Sequence, residues 1–116
     1  MNVWLDDLRP MPEGYDKHVY SAKDAIDLIN SGVVKMISLD HDLGDQNLYG
    51  SGYEVASAIE TGAYLAKIRR IRWQIHTRNT VGAKNMKAAL ENADRHWSKW
   101  EHLYEEARKK RKERHT

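Results

Sequence analysis

The chain has 116 residues, a formal net charge of +2 and no cysteine. That length suits one domain around one core, and the missing cysteine excludes a disulfide framework and thiolate chemistry. No apolar run approaches membrane-spanning length and the N-terminus lacks a signal-peptide pattern, so the expectation is a soluble, cytoplasmic protein with no membrane partner.

In chain order, "NVWL" (residues 2–5) predicts a short buried strand running straight into Asp6 and Asp7. Pro10, Pro12 and Gly14 predict a loop, and "KHVY" (17–20) a second short strand. Ser21 is the expected N-cap of a helix whose apolar face is Ala22, Ala25, Ile26 and Ile29, ended by Gly32. "KMISL" (35–39) is the next strand, and it enters the acidic segment Asp40, His41, Asp42 before Gly44 breaks the run. "GSG" (50–52) opens a helix with Val55, Ala56, Ile59 and Ala63 on its apolar face. "IRRIRWQIH" (68–76) holds a strand in which Ile71, Trp73 and Ile75 point one way. Asn79 or Thr80 then caps a long last helix.

That helix carries a heptad-like stripe: Ala83, Met86, Leu90, Ala93, Trp97, Trp100, Tyr104 and Ala107. Its first half is expected to pack on the sheet. The Trp97, Trp100, Tyr104 half suggests a homodimer interface, against the plainer alternative that the stripe folds back over its own domain. Residues 108–116 carry six Lys or Arg against one Glu, a net +5, so the remaining 107 residues sum to −3. Such a tail suits nucleic-acid phosphates, and equally suits a solvated helix end.

Strands alternating with helices, without hairpin signals, predict an α/β fold: a three-layer sandwich with a short, mostly parallel four-stranded sheet and a long C-terminal helix. The expected division is a domain over 1–92 and a helical, basic extension over 93–116.

In an open parallel sheet, ligands sit beyond the carboxyl ends of the strands. Three predicted strand ends carry polar groups there: Asp6 and Asp7; Asp40, His41 and Asp42; His76 and Asn79. Clustered carboxylates raise one another's pKa unless a cation joins them. A hard divalent ion, Mg²⁺ or Mn²⁺, is one solution, with Asp6, Asp7 and Asp40 as ligands; added His41 and His76 would favour Mn²⁺ or Zn²⁺ over Ca²⁺. The other solution is metal-free: His41 and His76 exchange protons and carboxylates such as Asp42 orient them. Ser51, Gly52 and Asn79 lie at expected helix N-termini, where free N–H groups suit phosphate oxygens, and Arg9 adds a charged fork. Each feature has an ordinary structural reading too, as turn residues, a hydrogen-bonded histidine or a plain Gly-rich loop.

The segments "WLDDLRPMPEGY", "ISLDHDLGD" and "IHTRNTVGAKNM", in this order and spacing, resemble the cyclic-phosphate processing receiver-like domain, a bacterial and phage relative of response-regulator receivers. The resemblance spans about residues 2 to 90. It implies a receiver-like α/β sandwich and hydrolysis of cyclic phosphates on nucleotides or related molecules. It aligns Asp6 and Asp7 with the receiver acidic pair that binds Mg²⁺, and Asp40 with the phosphorylated Asp. His41 and Asp42 extend that motif, His76 takes the slot of the switch Ser or Thr, and Asn79 matches an H-x-x-N pattern. The chain departs from receivers in leaving no room for a helix between its first two strands, and in lacking a fifth strand with its Lys.

The functional expectation is a hydrolase opening a cyclic phosphodiester on a small nucleotide-derived molecule. The alternatives are a binder that sequesters a cyclic nucleotide uncut, and a receiver-like nucleic-acid-binding regulatory module using the basic tail.

Overall fold

The computed structural model describes residues 1–114; the last two positions of the expected basic tail, His115 and Thr116, lie outside the described residues. Four strands, β1 (Asn2–Leu5), β2 (Lys17–Val19), β3 (Met36–Leu39) and β4 (Arg72–Ile75), form one sheet in the order β2-β1-β3-β4, and every pairing is parallel. Helices α1 (Ala22–Asn30), α2 (Gln46–Tyr49), α3 (Gly52–Tyr64) and α4 (Thr80–Arg114) complete the chain. The α/β class, the parallel four-stranded sheet and the long C-terminal helix are as the sequence predicts.

The helices that build the core share one face of the sheet. Val3, Leu5, Val19, Ile37 and Leu39 point to one face of the sheet and join a single core with Ala25 and Ile29 of α1, Val55 and Ile59 of α3, and Met86 and Leu90 of α4. Residues of the opposite parity, Trp4, Ser38 and Gln74, face the other way. The reason is topological. The β2-to-β3 and β3-to-β4 crossovers step across the sheet in the same direction, and right-handed connections then deliver their helices to the same face. The connection between β1 and β2 (residues 6–16) carries no helix. That segment roofs the second face instead: the Trp4 indole N–H donates to the Arg9 carbonyl at 3.2 Å, and Tyr15 meets the Trp4 ring edge-on at 5.2 Å.

Local chemistry sets the helix ends. The Ser21 hydroxyl accepts the Asp24 N–H to start α1, and Gly32, at φ +81°, follows its end. Asn79 caps α4, its side-chain oxygen accepting the Gly82 N–H at 2.8 Å. The one-turn α2, capped by the Asp45 carboxylate on Asn47 N–H, was not expected; four residues are too few for a periodic signal.

Helix α4 corrects the dimer expectation in part. Trp97 is 3% exposed within the chain's own core and donates its indole N–H to the Ile68 carbonyl at 3.0 Å. Trp100 donates to the carbonyls of Ala63 and Tyr64 at the end of α3. Both rings are used inside the chain because the carbonyls ending α3 and its loop need donors. Of the three proposed interface residues Trp97 is buried, Trp100 stays 38% exposed and Tyr104, 74% exposed, stands clear of the body. Arg70 fastens the middle of α4, with two contacts of 3.0 Å to the Glu101 carboxylate while its guanidinium lies over the Trp97 ring. The division expected at residue 92 falls inside this unbroken helix, where Ala93 and Trp97 still belong to the core.

Candidate active site at the carboxyl rim

The sheet register aligns Leu5, Leu39 and Ile75 in one row. Asp6, Asp40 and His76 are the next residues, so they sit side by side beyond the strand ends. Their backbones still belong to the ladder, donating to Val19, Leu5 and Leu39 carbonyls at 3.2, 3.0 and 3.0 Å. The side chains therefore project from a rigid edge.

Asp6 is fully buried. One carboxylate oxygen accepts the Leu8 and Arg9 N–H groups at 2.8 Å each, and the other contacts the Arg9 guanidinium at 3.3 Å and His76 Nε2 at 2.9 Å. Burial pushes this carboxyl up, but the Arg9 and Leu8 N–H groups and the His76 contact outweigh it and hold the carboxyl below its ordinary range. An ionised carboxylate only accepts, so Nε2–H of His76 donates to Asp6 and Nδ1 accepts the hydroxyl of the fully buried Ser38 at 2.7 Å. The ring is stacked on Trp4, 3.8 Å between centroids and 6° from parallel. Burial, the largest influence, pushes His76 below its ordinary value against the pull of Asp6. Both nitrogens of His76 are thus engaged, which fits an anchor for Asp6 better than the acid–base role expected from the sequence.

The second cluster lies beside the first. His41 Nδ1 is 2.9 Å from an Asp42 carboxylate oxygen, and the Asn79 amide donates to the same carboxylate at 3.3 and 3.4 Å. The hydrogen bond from His41, then that from Asn79, lowers the Asp42 pKa against its slight burial. With Nδ1–H given to Asp42, the Nε2 of His41 is left with no protein partner among the described residues. Gly82 makes room for the ring: a Cβ there would lie 2.5 Å from His41 Cγ. Asn79, expected to hold phosphate, is occupied at both ends, as helix cap and as partner of Asp42.

Asp6, Asp7 and Asp40 each bring a carboxylate oxygen to a group whose atoms lie within 4.8 Å of one another. This all-oxygen set fits a hard divalent cation such as Mg²⁺ or Mn²⁺. Neither histidine belongs to it, so the expected preference for nitrogen-seeking metals has no support. Arg9, 3.8 Å from Asp40 as well as against Asp6, supplies one positive charge from the chain itself.

Ser51 and Gly52 are not brought to the open rim. Ser51 is 4% exposed and its hydroxyl caps α3 on the Glu54 N–H, while Gly52 gives its N–H to the His41 carbonyl. A Cβ at Gly52 would collide with the Asp40 carbonyl oxygen. The pair fastens α3 to the end of β3, and the N–H groups expected to be free are spent on that junction.

A cleft of about 550 Å³ at this rim is lined by Asp6, Asp7, Leu8, Arg9, Asp40, Asp42 and Gly44, together with Thr77 and Arg78. Arg78 and Thr77, and the supports Ser38 and Trp4, are not among the site residues expected from the sequence. Ser38 had a signal: a hydroxyl inside an apolar strand, of the same parity as Asp40.

A parallel sheet bearing a carboxylate cluster at its carboxyl rim defines a receiver-like α/β protein. The family model of the cyclic-phosphate processing receiver domain matches residues 1–92, and the chain belongs to that family. Membership points to a role in cyclic-phosphate processing. No curated protein and no solved structure matches the chain. No helix among the described residues is long and apolar enough to cross a membrane.

Proposed function

We propose that the rim cleft binds a cyclic phosphodiester on a nucleotide-derived small molecule and opens it by hydrolysis. The observation that carries this reading is the meeting, in one cleft, of an all-oxygen carboxylate cluster, two arginines and Asp42, whose carboxylate in turn holds His41 with its outer nitrogen unpartnered among the described residues. The charge balance argues for a cation. Four aspartates and two arginines line the cleft, leaving an excess of negative charge that repels a phosphodiester monoanion. Asp6, Asp7 and Asp40 would hold a hard divalent ion, which when bound would offset that excess and supply Lewis-acid chemistry.

The chain's own groups then have separable roles. Arg78, which lines the same cleft, and the free edge of Arg9 hold phosphate oxygens. Asp42 fixes the His41 tautomer so that Nε2 takes a proton from the attacking water. The water oxygen bonds to phosphorus, one ring P–O bond breaks, and the leaving oxygen takes up a proton. The balance is one water added and a phosphomonoester formed. His76, Ser38 and Trp4 keep Asp6 ionised and fixed in place.

A second reading, sequestration without cleavage, draws on the full engagement of His76, which leaves one histidine where acid–base catalysis commonly uses two groups. Mass-resolved incubation with cyclic nucleotides separates the readings: a product heavier by one water supports hydrolysis, whereas ligand recovered bound and intact supports sequestration.

A further inference from the structure

Far from the rim, a groove of about 700 Å³ lies where α4 leaves the body, between the loop after α3 and the helix, and ends at Tyr104. The exposed face of α4 carries on from Tyr104 through Ala107, Arg108, Lys110, Arg111 and Arg114. We propose that this groove, with the helix face that continues it, is a docking site for single-stranded nucleic acid, separate from the rim cleft.

Two independent features carry the assignment. The first is charge. Lys67 and Arg69 line the groove from the loop, and Arg108, Arg111 and Arg114 follow on the helix face that continues it. Glu101 is the acid among the groove-lining residues, and it is already paired with Arg70. Cations along a track complement a phosphate backbone and release its counterions. The second is aromatic surface. Trp100 and Tyr104 lie one helical turn apart, 38% and 74% exposed. The Trp100 N–H is tied to the end of α3, which holds that ring still. A fixed aromatic platform beside a cationic track is the arrangement that binds single strands through base stacking. Duplex bases are stacked on each other and offer no free face.

The rise of α4 from Thr80 puts Tyr104 roughly 36 Å from the rim. A small cyclic nucleotide at the rim cannot also reach the groove, so the two sites are testable apart. A second copy of the chain fits less well, because the stripe of Trp100, Tyr104 and Ala107 continues into Arg111 and Arg114, which would carry like charge into a parallel pairing.

The test is fluorescence anisotropy of the full chain with a labelled mixed-sequence 20-mer, as single-stranded RNA, as single-stranded DNA and as duplex, over a salt series. The expected result is binding to single strands over duplex, weakening steeply with salt. Tyr104→Ala should weaken single-strand binding on the order of tenfold with an unchanged salt slope. Arg108→Gln with Arg111→Gln should reduce the slope by about 1.4. Both changes lie on exposed helix, and circular dichroism checks that the fold persists. Equal affinity for duplex, no effect of Tyr104→Ala, or no binding at low salt would each overturn the proposal. So would a dimer that Tyr104→Ala dissolves in the absence of any nucleic-acid binding.

Discussion

His76 stands 2.9 Å from Asp6 across the rim and lies flat against Trp4, with Ser38 at its other nitrogen. Three groups, His76 with Trp4 and Ser38 behind it, thus fix one buried carboxylate. Removing the imidazole strips that carboxylate of a donor where water has little access. His76→Ala is expected to cost about 1–3 kcal/mol in denaturant unfolding, and to weaken any ligand binding that depends on Asp6. Ser38→Ala should cost less, about 1 kcal/mol, because only the tautomer-setting hydroxyl is lost. If both variants unfold like the parent, the row carries no stability.

The same row predicts acid lability. His76 titrates below its ordinary value of 6.5 in the folded chain, so the unfolded chain binds more protons as pH falls. The stability it contributes is present above pH 6.5 and is lost as pH drops through the folded value. Asp6, held below its ordinary 3.8, adds a further loss in more acid solution. Urea midpoints measured from pH 8 to pH 4 should fall below pH 6.5, and His76→Ala should flatten the first part of that fall. A flat profile in the parent would contradict the burial of a neutral His76.

Gly82 offers a selective probe of the other cluster. Gly82→Ala suits the helix by propensity, yet its Cβ meets the His41 ring at 2.5 Å. The expected outcome is a displaced imidazole, with the His41–Asp42 contact broken and activity reduced at least tenfold, while helix content stays unchanged. An unchanged His41 environment by NMR would show that the ring has room the geometry does not suggest.

The anchoring of α4 is also measurable. Trp97 is buried among core residues, so Trp97→Ala should destabilise by about 3–5 kcal/mol. Arg70→Ala removes a pairing that is partly exposed, and about 1 kcal/mol is expected. Its helix loss should be confined to the projecting end, read by hydrogen exchange.

The rim was legible in the sequence because strand ends announce themselves. Asp6, Asp40 and His76 each follow an apolar run at its last residue, and parallel pairing without offset made them neighbours. Asn79 as helix cap was legible for the same local reason. What sequence could not separate was a side chain's type from its employment. His76 and His41 look alike on paper, but one has both nitrogens engaged and the other has one with no protein partner among the described residues. Ser51 and Gly52 had the composition of a phosphate loop, and close approach to the Asp40 carbonyl consumed them instead. Which face each helix covers depends on the direction of successive crossovers, a property of strand order that no local pattern states. Trp97 and Trp100 sat on a heptad stripe that suggested a partner helix; carbonyls distant in sequence, Ile68 in the loop after α3 and Ala63 and Tyr64 at its end, claimed the two indoles.

The most direct measurement is mass-resolved incubation of the protein with 2′,3′-cyclic and 3′,5′-cyclic nucleotides and cyclic dinucleotides, each with Mg²⁺, Mn²⁺ or EDTA. Asp40→Asn runs beside it. The account predicts a ring-opened product, one water heavier, that is formed with a divalent ion, suppressed by EDTA and reduced at least a hundredfold in Asp40→Asn. Product formed equally well by Asp40→Asn, or neither product nor bound ligand with any of these substrates, would contradict the assignment of the rim.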